Sequence, residues 1–385
     1  MKPRLSERVR NLEPSATLAV GRQARELQAR GVKVLNLSVG EPDFPPPEAA
    51  KEAVLGAVRE NFSRYTESRG LPELRAAVAR RAETDLGLKY RPEQVVVSCG
   101  SKHTLYNLFQ VLLDPGDEVL IPVPYWTSYP EMVKLAGGVP VPVEAGGGFR
   151  VRPADLEARR TARTRALILN SPNNPSGEVY PAEELAGIAD WLVRNDLLVI
   201  SDDAYQHFLY DGRTFTSIAS FPGLPERTLV VGAASKTYAM TGWRIGWFLG
   251  PEPIAEAVAR LQDQSTSNPS SLSQRAALAA LDGGQEPVFR MREAFQRRRD
   301  ALMKGLAAVK SIRYPFPAGA FYLFFTHPSI TDSVETAGRI LAEKQVALVP
   351  GRAFGMEPYL RLSYAVADQV LEEAVRRLVD FFRAA

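Results

Sequence analysis

The chain has 385 residues, 45% apolar and 24% charged, with 47 basic against 44 acidic side chains and a net charge of +3. That length can bury the core of one large or two ordinary domains, while so small and interspersed an excess of charge argues against nucleic acid or an anionic membrane as partner. One cysteine, Cys99, excludes a disulfide framework, and the three histidines, His103, His207 and His327, form no closely spaced metal-ligand pair with it or with each other.

At the N-terminus Arg4, Arg8 and Arg10 precede no apolar stretch, and Glu7 and Glu13 interrupt them, so no signal peptide is expected. No run approaches the roughly 18 apolar residues of a membrane span. A soluble cytoplasmic chain, poor in conventional catalytic groups, is the expectation; an enzyme of this kind would delegate its chemistry to a cofactor. A helical pattern covers Thr17 to Arg30, followed by the proline-rich turn Glu41 to Pro47. Val95 to Ser98 reads as a strand; Leu105, Leu108, Phe109 and Leu112 then recur at helical spacing. Asp117 to Ile121 is a strand before a helix near Tyr129 to Leu135, and Gly146 to Gly148 is a surface turn. Ala166 to Leu169, Leu197 to Ile200 and Leu229 to Val231 are strands about 30 residues apart, with amphipathic stretches such as Pro181 to Arg194 between them. From Val288 a long arginine-rich helix leads to strands at Phe321 to Phe325, Val346 to Val349 and Leu360 to Ser363 and a terminal helix to Phe382. The run Arg297 to Arg299 reads as a solvated helix face. Buried strands alternating with helices predict an α/β fold with a parallel sheet covered on both faces. The expected division is a large domain over 48–287 and a smaller α+β domain from both ends, 1–47 and 288–385.

The informative residues follow the strands, where such sheets bind ligands. Cys99-Gly100-Ser101-Lys102 opens a helix and could present free N–H groups to a phosphate, although an ordinary strand–helix turn has the same composition. Asn170-Ser171-Pro172-Asn173-Asn174-Pro175-Ser176-Gly177 is rigid and rich in hydrogen-bonding groups, or simply an Asx-type turn. Asp202, Asp203 and Tyr205 follow the next strand; a carboxylate there is either paired or a helix cap. Lys236, among small and aromatic neighbours in Ser235-Lys236-Thr237-Tyr238, is placed for desolvation to lower its pKa and make it a nucleophile. A P-loop fails, because its glycines would fall on Val230 and Ser235, and no dinucleotide-binding glycine pattern follows a strand. Pyridoxal phosphate needs such a combination: an anion cradle, a carboxylate for its ring nitrogen and an amine for its aldehyde.

The Asn170–Gly177 string, Ser201-Asp202-Asp203-Ala204-Tyr205 and Ser235 to Gly246 resemble the signatures of class I aminotransferases, fold-type I pyridoxal-phosphate enzymes. The resemblance runs from Pro14-Ser15-Ala16-Thr17 through Gly40 to Phe44 and on to Arg361-Leu362-Ser363-Tyr364, and is closest to the bacterial aspartate aminotransferase branch. It implies a mainly parallel seven-stranded sheet and a homodimer with shared active sites. Carried over by motif, Lys236 is the Schiff-base lysine and acid/base, Asp202 pairs with the ring nitrogen, and Asn174 and Tyr205 bond the phenolic oxygen. Trp126 stacks on the ring; Ser101, Lys102, Ser235 and Arg244 hold the phosphate, with Tyr65 reaching in from a second subunit. Arg361 forks onto the substrate α-carboxylate, and Gly40 closes over it.

The resemblance implies ping-pong transamination between amino acids and 2-oxo acids. Lys102 points to a distal carboxylate, hence aspartate with 2-oxoglutarate, although it could serve only the phosphate or solvent. Where relatives that accept prephenate carry a lysine before Pro-Ser-Ala-Thr, this chain has Glu13, which argues against that substrate. Gln264 to Asn268 lacks the cross-subunit arginine of other aspartate aminotransferases, so a broader range (aromatic, alanine or prephenate/glutamate) stays open, as does a lyase on the same fold. A pyridoxal-binding regulator would need a further domain. No metal is expected, and His103 and His207 are expected to be structural.

Overall fold

The apolar runs lie side by side. In the computed structural model, which describes residues 4–384, the strands are β1 (Leu35–Asn36), β2 (Val95–Ser98), β3 (Glu118–Pro122), β4 (Val139–Val143), β5 (Thr164–Asn170) and β6 (Leu198–Asp202). They continue with β7 (Thr228–Ala233), β8 (Gly246–Leu249), β9 (Tyr322–Phe325), β10 (Val346–Ala347), β11 (Val349–Pro350) and β12 (Leu360–Ser363). Seven of them form one sheet in the order β2-β8-β7-β6-β5-β3-β4. All are parallel except β8, which runs against both β2 and β7. The expected α/β class with its mainly parallel seven-stranded sheet is what the chain adopts.

Strand alternation divides the core. Val95 and Val97 pack with Leu74, Val78 and Ala277 on one face, whereas Val96 packs with Leu105, Leu108 and Phe109 on the other. The same parity puts Ile200 beside Tyr129 and Val199 beside Leu185 and Trp191. Both faces being covered, these strands are continuously apolar, which is why they were legible. β4 was not: its sequence, Val-Pro-Val-Pro-Val, lacks two backbone donors, and it lies at the sheet edge where that is tolerated. β8 was also missed, because its four residues sit inside a motif that reads first as chemistry. The expected N-terminal helix runs over Ala16–Ala29, with Ser15 accepting from the Leu18 N–H as its cap.

The two chain ends meet. β1 pairs in parallel with β10, Leu35 opposite Val346, and β9, β12 and β11 form a three-stranded antiparallel sheet. The expected strand at Val346 to Val349 is two short pieces that serve these different sheets. One core joins Leu35 and Leu37 to Phe295, Phe321, Leu378 and Phe382, and to Tyr205 and Phe208 just beyond β6. Residues 1–3 and 385 of the expected two-ended domain lie outside the described residues. Among the described residues, no helix is long and apolar enough to cross a membrane.

The arginine run corrects one expectation. Arg299 is only 2% exposed and grips Asp211 with both terminal nitrogens at 2.7 and 2.8 Å. Arg298 bonds Asp43 and Asp368, tying the proline-rich turn to the start of the terminal helix. Only Arg297 faces solvent. Helical spacing turns three consecutive residues to different directions, and the long apolar stem of arginine lets one of them enter a core when a carboxylate meets it. Arg299→Met should therefore lower unfolding free energy by about 2 kcal/mol or more, because the Asp211 pair is lost. Arg297→Met should stay within about 0.5 kcal/mol in the same denaturant titration.

Candidate active site

A cavity of 280 Å³ opens at the carboxyl ends of β5, β6 and β7, closed from the other side by residues of the chain-end core. Into it converge Gly40, Ser101, Lys102, Trp126, Asn174, Asp202, Tyr205, Lys236 and Arg361, the greater part of the residues the motifs single out. Ser235 is buried beside Lys236, Arg244 lies behind the Gly100 turn, and Tyr65, 91% exposed, stands apart from the cavity.

Asp202 is the last residue of β6 and shares the face of Ile200 and Tyr129. Its Oδ2 accepts from the Tyr129 hydroxyl at 2.6 Å, and its Oδ1 from the Ala204 N–H at 3.3 Å. Burial pushes the carboxyl pKa up, while the Tyr129 bond, the Ala204 N–H and the charge of Lys236 act to keep it ionised. Asp203 has the opposite parity. It bonds Ser201 Oγ at 2.6 Å, faces a separate cavity with His207, and is pushed up to about 8 by burial. Strand alternation thus separates two adjacent aspartates, and Asp202, the one the motif singles out, is turned to the site.

Lys236 follows β7 in a single helical turn, Ala234–Thr237. Its Nζ donates to the Gly40 carbonyl at 2.5 Å. Burial pushes the ammonium down to about 8, with Glu41 and Asp202 opposing and Arg361 and Arg244 assisting. An amine so placed is a nucleophile near neutral pH. Glu41 is itself tied to the Thr241 hydroxyl, so the turn bearing Gly40 is fastened beside the lysine.

Arg361 on β12 is 2% exposed. It donates to Asn174 Oδ1 at 2.9 Å and to the Ser38 carbonyl at 2.6 Å, and its Nε has no partner among the described residues. A buried guanidinium with no carboxylate and one orphaned donor is a receptor for an anion. Because Oδ1 of Asn174 is occupied, its amide nitrogen remains to donate into the cavity.

The Gly100 turn has positive φ and starts the helix Ser101–Leu112 with no capping side chain. A Cβ at Gly100 would fill the space held by the Arg244 guanidinium, and one at Gly246 would strike the Ser101 backbone. Both glycines therefore permit the close approach that puts helix N–H groups and Arg244 together, a setting for a phosphate. Arg244 donates to the Cys99 carbonyl at 3.3 Å, and Cys99 is half-buried. Lys102 is exposed to solvent, with Nζ 4.9 Å above the Trp126 ring. His103 accepts from the Cys99 N–H, and His207, pushed down to about 4 by burial, lies 3.7 Å from Asp85.

Sequence reasoning missed Tyr129, Tyr322 and Asn170, whose side chain bonds the Asp202 carbonyl and the Asn174 N–H. A buried tyrosine needs a polar partner, so Tyr129 carried a signal, but its helical spacing reads first as packing.

Residues 32–378 match the family model described as aminotransferase class I and II. The chain is similar to the aspartate aminotransferase of Geobacillus stearothermophilus, 44% identical over 99% of each protein. It is 46% identical to the aspartate/prephenate aminotransferase of Cereibacter sphaeroides over 98% of each. Among solved structures it resembles the aspartate aminotransferase of Thermus thermophilus with maleate, with a TM-score of 0.94 and 44% identity over 98% of this chain and 100% of that one.

Two measurements test the site without any ligand assignment. Capture of a simple aldehyde at Lys236, trapped by reduction and located by peptide mapping, should rise with pH with a midpoint near 8. A midpoint at the ordinary lysine value of 10.5 would contradict the burial argument. Tyr129→Phe should destabilise the protein by about 1–2 kcal/mol at pH 7, because the Asp202 carboxylate loses its shortest hydrogen bond.

Proposed function

The chain belongs to the class I and II aminotransferases, and on that premise we propose that the cavity binds pyridoxal phosphate and that the enzyme transfers the amino group of L-aspartate to 2-oxoglutarate. The carrying observation is the convergence of one amine, one carboxylate and one underused buried guanidinium, Lys236, Asp202 and Arg361, in a single cavity.

Pyridoxal phosphate suits this donor set. Its phosphate matches the helix N-terminus at Ser101 and Lys102, with Ser235 and Arg244; its ring nitrogen matches the buried Asp202; its phenolic oxygen matches Tyr205 and the unengaged amide of Asn174. When bound, the cofactor supplies an aldehyde that condenses with amines and a ring that takes up the electron pair left at the substrate α-carbon. The protein's own work is positional and protonic. Lys236 removes the α-proton and returns a proton across the same cavity, which a pKa near 8 suits. Asp202, held by Tyr129, is the carboxyl group that would pair with the ring nitrogen and favour a proton there. Trp126 covers the ring and Arg361 fixes the α-carboxylate. Gly40 closes the opposite side, its carbonyl giving up Lys236 as substrate enters.

Dicarboxylate preference rests on Lys102, which stands near Trp126 at the cavity rim, across from Arg361. Tyr65, exposed on one chain, is the residue offered to a second copy in a homodimer with shared sites. A large domain over 48–287, a smaller one from both ends and a cytoplasmic location belong to the same reading.

Prephenate is the second reading, favoured by the names of several relatives. Glu13 stands against it. Its N–H bonds Glu131 Oε2 at 3.1 Å, and both carboxylates line a 640 Å³ recess next to the cavity. Lys134 pairs with Glu131 there and Arg352 adds a second cation, so Glu13 is the carboxylate of the recess that would repel a substrate with an extra carboxylate.

Purified protein with pyridoxal phosphate should be yellow and bleach with aspartate, and Lys236→Ala should lose turnover. Half-reactions with aspartate, glutamate, alanine, phenylalanine and prephenate should place the two dicarboxylic amino acids first; phenylalanine in that place would overturn the substrate assignment. Lys102→Ser should lower kcat/KM for aspartate about tenfold, a loss kept modest by the solvent around Lys102. Glu13→Lys should raise the rate with prephenate and leave aspartate unchanged.

A further inference from the structure

Tyr322 lies outside every motif, yet it touches three of the residues the motifs single out. It sits on β9 opposite Ser363, two positions along from the Arg361–Phe324 pair, and is 1% exposed. Its hydroxyl is 2.8 Å from the Tyr205 hydroxyl. The Arg361 guanidinium lies over its ring, 4.6 Å from the centroid, with the Phe354 ring at 5.0 Å from the same guanidinium carbon. Its phenol oxygen also presses against Gly40 so closely that no Cβ could be placed there.

A phenol has one proton to donate and two lone pairs to accept with. The Tyr205–Tyr322 bond therefore has two senses, and they are not equivalent for the cavity. With Tyr205 donating to Tyr322, only Tyr205 lone pairs remain for the cavity, and these repel an anionic oxygen. With Tyr322 donating, the Tyr205 proton is released toward the cavity. The buried ring beneath Arg361 has a second effect, holding the guanidinium plane between two aromatic faces while its Nε stays free.

We infer that Tyr322 is the positioning residue of this site, donating to Tyr205 so that the Tyr205 hydroxyl points at the bound ligand's oxyanion, and supporting Arg361 so that its fork stays aimed at a carboxylate. The inference rests on the proposed pyridoxal-phosphate and dicarboxylate reading of the cavity. The charged and titratable groups facing the phenol pair are Arg361 from β12, Asp202 from β6, Tyr129 from the helix Ser128–Leu135, and Lys236 after β7. None of these hydrogen-bonds the Tyr205 hydroxyl, whose partner among the described residues is Tyr322.

Two variants separate the roles. Tyr322→Phe keeps the ring and deletes the donor. In protein loaded with pyridoxal phosphate, the midpoint of the pH-dependent visible band should rise by at least about half a pH unit, because a weaker donor at the oxyanion favours the more protonated state. Binding of maleate, an unreactive dicarboxylate, should change by less than about twofold in the same variant. Tyr322→Leu removes the ring as well and should weaken maleate at least about tenfold. An unmoved or lowered midpoint in Tyr322→Phe, beside a normal wild-type band, overturns the donor role and leaves the functional reading intact. Maleate affinity unchanged in Tyr322→Leu overturns the support of Arg361. Absence of any visible band in the wild-type protein overturns the cofactor reading and this inference with it.

Discussion

The buried guanidinium of Arg361 is the contact on which the site's geometry depends. It belongs to β12, in the core made by the two chain ends, yet its hydrogen bonds reach Asn174 beyond β5 and the carbonyl of Ser38. Three distant stretches of chain are thereby held around one charge. A buried cation must be met by hydrogen bonds or an anion. Here the protein supplies neutral acceptors and no carboxylate, so full compensation comes only from an anionic ligand. The same charge that joins the chain ends to the central sheet thus creates the demand for a substrate.

Around that cation the other charges take graded positions. Lys236 is enclosed enough to lose its proton near pH 8, with Glu41 and Asp202 limiting the shift. Asp202 is enclosed still more; burial pushes its pKa up, and the Tyr129 hydroxyl and the charge of Lys236 oppose that push. Arg244 and Lys102 remain open to solvent, suited to anions that bring their own hydration. Burial therefore sorts four cations into a nucleophile, a carboxylate fork and two outer anion contacts. A net charge of +3 conveys nothing of this, because function follows where each charge is desolvated.

Much of the sheet was legible because its strands are covered on both faces and so are uniformly apolar. β4 and β8 were not, the first broken by Pro140 and Pro142 and the second too short and too deep in a motif. In the site, residues carried by strand-end motifs were visible, since those motifs combine glycine, proline and polar side chains in ways packing does not require. Tyr129 and Tyr322 were invisible for the opposite reason. Each sits in a segment whose spacing is fully explained by a helix or strand, and its polar role appears only against a distant partner. Arg298 and Arg299 misled similarly: a run of like charges reads as solvated until Asp43, Asp211 and Asp368 arrive from elsewhere.

The sequence by itself determined the α/β class, the family and the kinds of groups available: an amine, a ring-facing carboxylate, an anion cradle and a guanidinium fork. The class follows from strand periodicity and turn chemistry, the family and the roles of Asp202 and Arg361 from the resemblance of the motifs. That Asp203 turns away into a separate cavity, that Arg361 keeps one donor free, and that Tyr322 underlies both Tyr205 and Arg361 were decided only by tertiary structure. The reason is that desolvation and hydrogen-bond satisfaction are properties of neighbours in space. Here those neighbours lie up to 323 residues apart along the chain, as with Arg361 and Ser38.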